Sequence, residues 1–216
     1  MINARVRKIT VAGALSAVVF ILQVTGLGLI PLPIASFTIM HVPVIIGAII
    51  EGPVVGVFIG LLFGIFSLIR AATTAVTPFD LAFVNPFISV LPRLFIGPAA
   101  WLIYRLINGK ENGGATNSGS IAVESTVGSA LTVVRKCAAI IAGAVTGSMT
   151  NTVLVLSALA ISGILPVPDG QTAWQVIIAV AAFNGLLEAG IAAAIALAVI
   201  AAWQKIALGG KPKLVR

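Results

Sequence analysis

Six polar or charged side chains interrupt long apolar runs in this sequence. They are His41, Arg70, Arg93, Asn151, Asn184 and Glu188. A charge at bilayer depth costs about 2.5–3.5 kcal/mol even on the lenient insertion scale, so such residues usually pair or serve a function. A side-chain amide both donates and accepts hydrogen bonds, which suits recognition of a polar solute. The residue types therefore indicate binding rather than catalysis.

The spacing of these residues favours a shared site. Asn184 and Glu188 are separated by four positions, so they lie on one face of a helix. Asn151 continues the face that begins with Gly143 and Gly147. At about 1.5 Å per residue, the polar positions fall in one half of the membrane. We therefore predict a polar cavity that opens to the outside.

Structural roles compete with binding for three of these residues. Arg93 could pair with Glu188 or with carbonyl groups freed near Pro92, because charges inside a membrane usually find partners. His41 could be a hydrogen-bonded packing residue. Arg70 could reach the outer interface with its long side chain. The sequence leaves these alternatives open.

The composition indicates whether water or lipid surrounds the protein that carries these residues. The chain has 216 residues, of which 59% are hydrophobic and 9% are charged, and its mean hydropathy is +1.16. Soluble domains carry roughly 25% charged residues. A soluble enzyme, a disordered protein and a nucleic-acid-binding protein are therefore poor interpretations. The sequence predicts an integral membrane protein in contact with the lipid bilayer.

Six apolar runs predict an all-α bundle of six transmembrane helices in a single membrane domain. A bilayer core of about 30 Å needs about 20 apolar residues per helix. The predicted spans are residues 9–29, 37–50, 54–72, 86–107, 131–165 and 173–206, with a polar linker at 108–130. The triplet Glu51-Gly52-Pro53 predicts a tight turn, with Pro at the start of the next helix. Glu51 itself is expected to be solvated.

The distribution of positive charge predicts the topology. Eleven of the thirteen Lys and Arg residues flank the runs or lie between them. With the N-terminus inside, all eleven fall on the inner side and none falls in the outer loops. Cytoplasmic loops are enriched in Lys and Arg. We therefore expect both termini and the 108–130 linker to be cytoplasmic.

Small residues recur at spacings of four, which permits close helix approach. One stripe is Gly56, Gly60 and Gly64. The first run carries Gly13 and Ala17, with Ala12 and Ser16 on a neighbouring stripe. Packing inside the bundle is the simpler interpretation. The alternative is that a stripe, above all on the first helix, docks another membrane subunit.

Enzyme signatures are missing from the sequence. There is no G-x-x-x-x-G-K-[ST], H-E-x-x-H or G-x-S-x-G motif. One His and one Cys cannot form a convincing metal or nucleophile site. We therefore predict a non-enzymatic protein with no cofactor and no metal.

Four stretches carry a resemblance to a known family. They are FTIMHVPVIIGAIIEGPVVGVFIGLLFGIFSLI, NPFISVLPRLFIG, GSMTNTVLVL and FNGLLEAGIAA, at residues 37–69, 85–97, 147–156 and 183–193. The sequence resembles the substrate-binding S components of energy-coupling factor vitamin transporters, and it is closest to pantothenate-type members. The resemblance implies vitamin capture at the outer face of a prokaryotic plasma membrane. It also implies a transmembrane coupling subunit and two cytoplasmic ATPase subunits on other chains.

The resemblance assigns roles to the polar residues. For pantothenate, Arg93 would bind the carboxylate in a charge-assisted pair. Asn151 and Asn184 would address amide and hydroxyl groups, and Glu188 would accept from a hydroxyl or hold Arg93. His41 belongs to the same candidate site. The outer loops at 28–36 and 73–84 would close over the ligand, with Phe37 and Phe79 as apolar walls.

Two alternatives remain at this stage. Riboflavin, pyridoxine or folate would use the same cavity with more aromatic stacking, which an aromatic content of 6% mildly disfavours. The second is a stand-alone secondary transporter in which Glu188 and His41 relay protons. The absence of a visible internal repeat counts against it.

Overall fold

The fold is a bundle of long apolar helices. The computed structural model describes residues 4–30, 37–74, 81–109, 124–163 and 167–208. Five helical segments in these ranges are long and apolar enough to cross a membrane, namely Ala4–Thr25, Pro53–Thr74, Pro86–Asn108, Thr132–Ile161 and Ala173–Gln204. The predicted class, an α-helical membrane bundle, is confirmed.

The helices and strands are numbered in chain order. The helices are α1 (Ala4–Thr25), α2 (Val42–Glu51), α3 (Pro53–Thr74), α4 (Pro86–Ser89), α5 (Leu91–Asn108), α6 (Glu124–Ile161), α7 (Ala173–Val180) and α8 (Leu186–Leu208). A π-helical turn, Ala181–Gly185, joins α7 to α8. Two short antiparallel strands, β1 (Leu29–Ile30) and β2 (Phe37–Thr38), form a hairpin between α1 and α2.

The second predicted span differs most from the structure. Residues 37–50 do not form one helix, because Phe37 and Thr38 are in β2 and α2 begins only at Val42. Ten residues rise about 15 Å, which is half of a bilayer core. Nine residues of α2 are buried. Helix α2 is therefore a central element that spans only half of the depth of the bundle. The hairpin occupies the other half.

The bundle has two distinct ends. The hairpin end is the one at which β1 and β2 lie. The basic end is the opposite one, where Glu51 closes α2 and its carboxylate lies 2.9 Å from Nε of Arg7 on α1. Glu51 is buried, so the expectation that it is solvated is wrong. A buried carboxylate needs such a partner to offset its lost hydration.

Two further boundaries differ from the sequence prediction. The fourth run is divided at Val90 into α4 and α5. Pro92 lies just after this break, and proline cannot donate the helical hydrogen bond to Ile88. Helix α6, which contains the fifth predicted span, begins at Glu124, so residues 124–130 of the predicted linker are helical. Residues 110–123 of that linker lie outside the described residues.

The glycine stripes pack inside the bundle. Gly56 lies against Ala48 and Gly97, and Gly60 lies against the backbone carbonyl of Arg93. Gly64 contacts the Ser89–Val90 backbone. The simpler interpretation is therefore confirmed for α3. The stripe lets α3 approach α5 at backbone distance, and this contact fixes the position of Arg93.

The small residues of α1 divide between two faces. Ala12 and Ser16 are buried. Gly13 and Ala17 are exposed, and a Cβ atom added at Gly13 would have no neighbour within 4 Å. Of the two stripes named from the sequence, only Gly13 and Ala17 are therefore available to another molecule.

Replacing Gly60 by Ala should destabilise the protein. Its Cβ would collide with the Arg93 carbonyl, which is backbone and cannot rotate away. Overpacking of this kind costs about 1–3 kcal/mol. Gly190→Ala is the matched control, since a Cβ there has no neighbour within 4 Å. Thermal unfolding in detergent should show a lower Tm for Gly60→Ala alone. Equal Tm values would contradict the assigned contact.

Candidate functional site

Three of the predicted site residues lie at one depth in the bundle. Ile49 of α2 contacts Gly143 of α6, and Ile45 contacts Gly147. The two helices run antiparallel. Four residues towards the hairpin end lead from Ile45 to His41 on one side and from Gly147 to Asn151 on the other, so His41 and Asn151 lie at the same depth. Ala100 of α5 also contacts Gly143 and Gly147.

Arg93 belongs to the same layer. It lies seven residues from Ala100 on α5, about 10 Å towards the hairpin end. This places it within one turn of Asn151. Gly60 of α3 lies against both the Arg93 carbonyl and Val44 of α2, which is three residues from His41. The predicted gathering of polar residues at one depth is thus seen for His41, Arg93 and Asn151, which we call the polar layer.

Arg93 is held by the helix break next to it. Its Nη1 donates to the carbonyl of Ile88, the group that Pro92 leaves without a helical donor. Its guanidinium lies 5.4 Å from the ring centre of Phe63 and 5.1 Å from that of Phe83. These rings suit a cation, since aromatic faces attract positive charge. The expected partner near Pro92 is therefore found.

Glu188 does not pair with Arg93 among the described residues. One carboxylate oxygen accepts the backbone N–H of Thr38 in β2 at 2.7 Å, and the other accepts from Oγ1 of Thr152 in α6 at 3.4 Å. The side chain is buried. The alternative in which Glu188 holds Arg93 is therefore wrong. Glu188 instead ties the hairpin to α6 and α8.

Asn184 lies one turn before Glu188, in the π-helical segment. It is buried and makes an interaction of its own. The neighbouring Gly185 packs against Met149 and Thr152 of α6. A π-turn adds a residue to a helical turn and is frequent at functional sites. Asn184 and Glu188 thus border the polar layer on the side of α8.

Several buried polar atoms around this layer find no hydrogen-bond partner among the described residues. They are both ring nitrogens of His41, Nε of Arg93, Oδ1 of Asn151, and the hydroxyl oxygens of Ser89 and Ser148. An unsatisfied buried group costs about 1–3 kcal/mol, so six of them would consume about 6–18 kcal/mol. That equals the whole stability of a typical domain. His41 is fully buried, and neither of its ring nitrogens has a hydrogen-bond partner among the described residues.

The remaining predicted residues lie elsewhere. Arg70 is at the hairpin end of α3, where its guanidinium approaches Gly26 after α1, so it is separate from the polar layer. Phe79 lies outside the described residues. Phe37 is in β2.

Sequence reasoning missed five residues of this region. Phe63, Phe83, Ser89, Ser148 and Thr152 contact the predicted residues or carry unpartnered hydroxyls. Ser148 could have been predicted from the sequence, because it lies three positions before Asn151 on the same helix. The phenylalanines gave no signal, since they resemble every other apolar residue of the bundle.

This arrangement can bind a polar solute that carries an anionic group. The cationic Arg93 offers Nε, the Asn151 amide offers an acceptor, and the two serines donate or accept. Within the described ranges no group of three His, Cys, Asp or Glu residues could hold a metal ion. The layer is therefore suited to organic ligands recognised by hydrogen bonds and charge.

The sequence is similar to a curated transporter and matches one protein family. Pantothenic acid transporter PanT of Lactococcus lactis subsp. cremoris (strain MG1363) is 28% identical over 144 residues, which cover 60% of this chain and 58% of that relative. The chain thus aligns with less than two thirds of the relative. The family model described as ECF transporter, substrate-specific component, matches residues 7–200. Because this match covers most of the sequence, the chain belongs to the family of substrate-specific components of ECF transporters, and it is a multi-span protein of the cell membrane.

Proposed function

We propose that this protein is the vitamin-binding subunit of an ATP-driven importer, with pantothenate as its substrate. The observation that carries the proposal is the concentration of unpartnered polar atoms around Arg93, where six of the ten such buried atoms of the described residues lie. Pantothenate has one carboxylate, one amide and two hydroxyl groups, and the polar layer offers partners of each kind. The named substrate of the Lactococcus relative supports this choice.

In this proposal the carboxylate binds Arg93 from the hairpin end. The Nε atom donates to it, while Nη1 remains on the Ile88 carbonyl. His41 contributes a ring N–H, and Asn151, Ser89 and Ser148 serve the amide and hydroxyl groups. Asn184 lines the α8 side. Charge-assisted hydrogen bonds of this kind are roughly twice as strong as neutral ones.

The importer would need partners on other chains. A transmembrane coupling subunit and two cytoplasmic ATPase subunits would supply the energy, since the sequence contains no P-loop. Both termini and the basic end would be cytoplasmic, so the hairpin end would face the outside. The exposed Gly13 and Ala17 face of α1 would dock the coupling subunit, because small residues permit close helix approach.

The alternatives predict different behaviour. A flavin, pyridoxine or folate would stack on more aromatic surface than Phe63 and Phe83 provide around Arg93. A proton-coupled transporter with a Glu188–His41 relay would need the two side chains to exchange protons. The hydrogen bonds of Glu188 go instead to Thr38 and Thr152. Uptake that survives removal of the ATPase subunits would nevertheless favour that alternative.

Arg93→Met should abolish discrimination between pantothenate and its alcohol analogue, in which CH2OH replaces the carboxylate. The wild type should prefer pantothenate by roughly 10- to 150-fold, the value of a hydrogen bond to a charged group. Titration calorimetry on the purified subunit measures both affinities. Because the ratio compares two ligands on one protein, a partly destabilised variant remains informative. A ratio that stays unchanged in Arg93→Met would remove Arg93 from the site.

Substitution of Glu188 should act through the hairpin. In Glu188→Gln the remaining carbonyl oxygen can still accept from Thr38, whereas Glu188→Ala leaves that N–H without a partner. We expect faster ligand dissociation and faster hydrogen exchange at residues 37–39 for Glu188→Ala only. Thr152→Val is the control, since it removes the weaker bond alone. Lost binding with unchanged exchange would place Glu188 against the ligand instead.

The two small-residue stripes of α1 should respond differently to enlargement. Gly13→Leu and Ala17→Leu change an exposed face, so the isolated subunit should fold and bind pantothenate but fail to assemble with the coupling subunit. Ala12→Leu overpacks a buried position and should lower the Tm of the subunit itself. Co-purification and calorimetry separate these effects. If both exposed variants assembled normally, the docking face would have to lie on another surface.

A further inference from the structure

An apolar groove runs between α5 and α6 on the outside of the bundle. Its volume is about 610 Å³, within the range of small-molecule pockets. The lining residues are almost all apolar: Phe95, Pro98, Ala99, Leu102, Met149, Thr150, Val153 and Leu154. Phe95 and Leu102 are each about half exposed. In a membrane this surface meets the hydrocarbon chains of lipids rather than water.

Two arginines lie between the groove and the basic end, Arg105 just beyond the groove and Arg135 about 21 Å along α6 from Met149. Arg105 is three residues past Leu102 on the same side of α5, about 4.5 Å further along the helix. Its guanidinium lies 4.9 Å from the ring centre of Trp101. The guanidinium of Arg135, on α6, lies beside Gly109 at the end of α5. Both arginine side chains are exposed.

The dimensions of groove and arginines match one phospholipid molecule. The groove residues of α5 lie about 5–15 Å from Arg105 along the helix axis. An inner or outer leaflet contributes about half of a 30 Å hydrocarbon core. A lipid whose headgroup lies at the arginines would therefore place an acyl chain along the groove. The Trp101 ring packs against the Arg105 guanidinium, and aromatic residues are enriched at the depth of the headgroups.

We propose that the α5–α6 face binds one anionic phospholipid, with its headgroup between Arg105 and Arg135 and an acyl chain in the groove. Lipid chains are as apolar as Leu, so the groove gains no hydrophobic burial from an acyl chain. Preference for one lipid over another must therefore come from the headgroup. Basic pockets between transmembrane helices bind anionic headgroups in this way. The site is on a different surface from the Gly13 and Ala17 face of α1.

The test uses the full chain in nanodiscs that contain equal amounts of phosphatidylglycerol and phosphatidylcholine with identical acyl chains. Native mass spectrometry then measures the ratio of the two lipids that remain bound. The wild type should retain phosphatidylglycerol preferentially. Arg105→Gln with Arg135→Gln should lower the ratio by roughly fivefold per arginine. Arg5→Gln with Lys8→Gln removes equal charge from α1 and should leave the ratio unchanged.

A second pair of variants tests the groove. Ala99→Leu narrows it and should reduce retention of both lipids equally, whereas Ala194→Leu changes an exposed position of α8 and should have no effect. Pantothenate binding by every variant reports that the bundle is intact. Equal retention of the two lipids by the wild type would overturn the proposal. The proposal would also be overturned if the α1 control changed the lipid ratio or if Ala99→Leu left lipid retention unchanged. A crosslinker at Val153 that captured another polypeptide instead of lipid would overturn it as well.

Discussion

A ten-residue helix cannot cross a bilayer, and the architecture of this protein follows from the half of the bilayer depth that α2 leaves uncovered. The helix is almost wholly buried and begins only midway through the bundle, directly after His41. Backbone groups at membrane depth must be satisfied inside the protein, because lipid offers no hydrogen bonds. The chain meets this demand with a hairpin, in which Ile39 donates to the Gly28 carbonyl and Thr38 donates to Glu188. The buried charge of Glu188 thus completes the backbone of the hairpin.

Arg93, another buried charged residue, lies at a second interruption of the helices. Pro92 frees the Ile88 carbonyl, and the next residue in the chain supplies the donor. The glycine stripe of α3 brings the Arg93 backbone into van der Waals contact, and the bond to the Ile88 carbonyl holds the guanidinium. Two broken helices, α2 and α4–α5, therefore meet at one depth. Their broken ends expose polar groups inside an apolar bundle, which is the basis of the candidate site.

Much of this could be predicted from the sequence. Hydropathy located the long helices, and the spacing of Gly56, Gly60 and Gly64 predicted a packing face. The start of α2 could not be predicted, because an apolar run such as 37–50 fits a buried strand as well as a helix. The partner of Glu188 is a backbone N–H 150 residues away, and no side-chain pattern indicates such an acceptor. Arg93 differs in this respect, because the sequence indicated both an acidic partner and a carbonyl freed near Pro92, and the carbonyl is the one that Arg93 contacts.

The most direct test of the central claim is the identity of the molecule that the protein carries from the cell. Native mass spectrometry of the full chain, purified in mild detergent, would weigh the complex and the small molecule released on denaturation. We expect one equivalent of pantothenate, lost in an Arg93→Met variant that remains folded. A ligand without a carboxylate, or a pantothenate complex that persists in that variant, would contradict the assignment of the polar layer as the vitamin site.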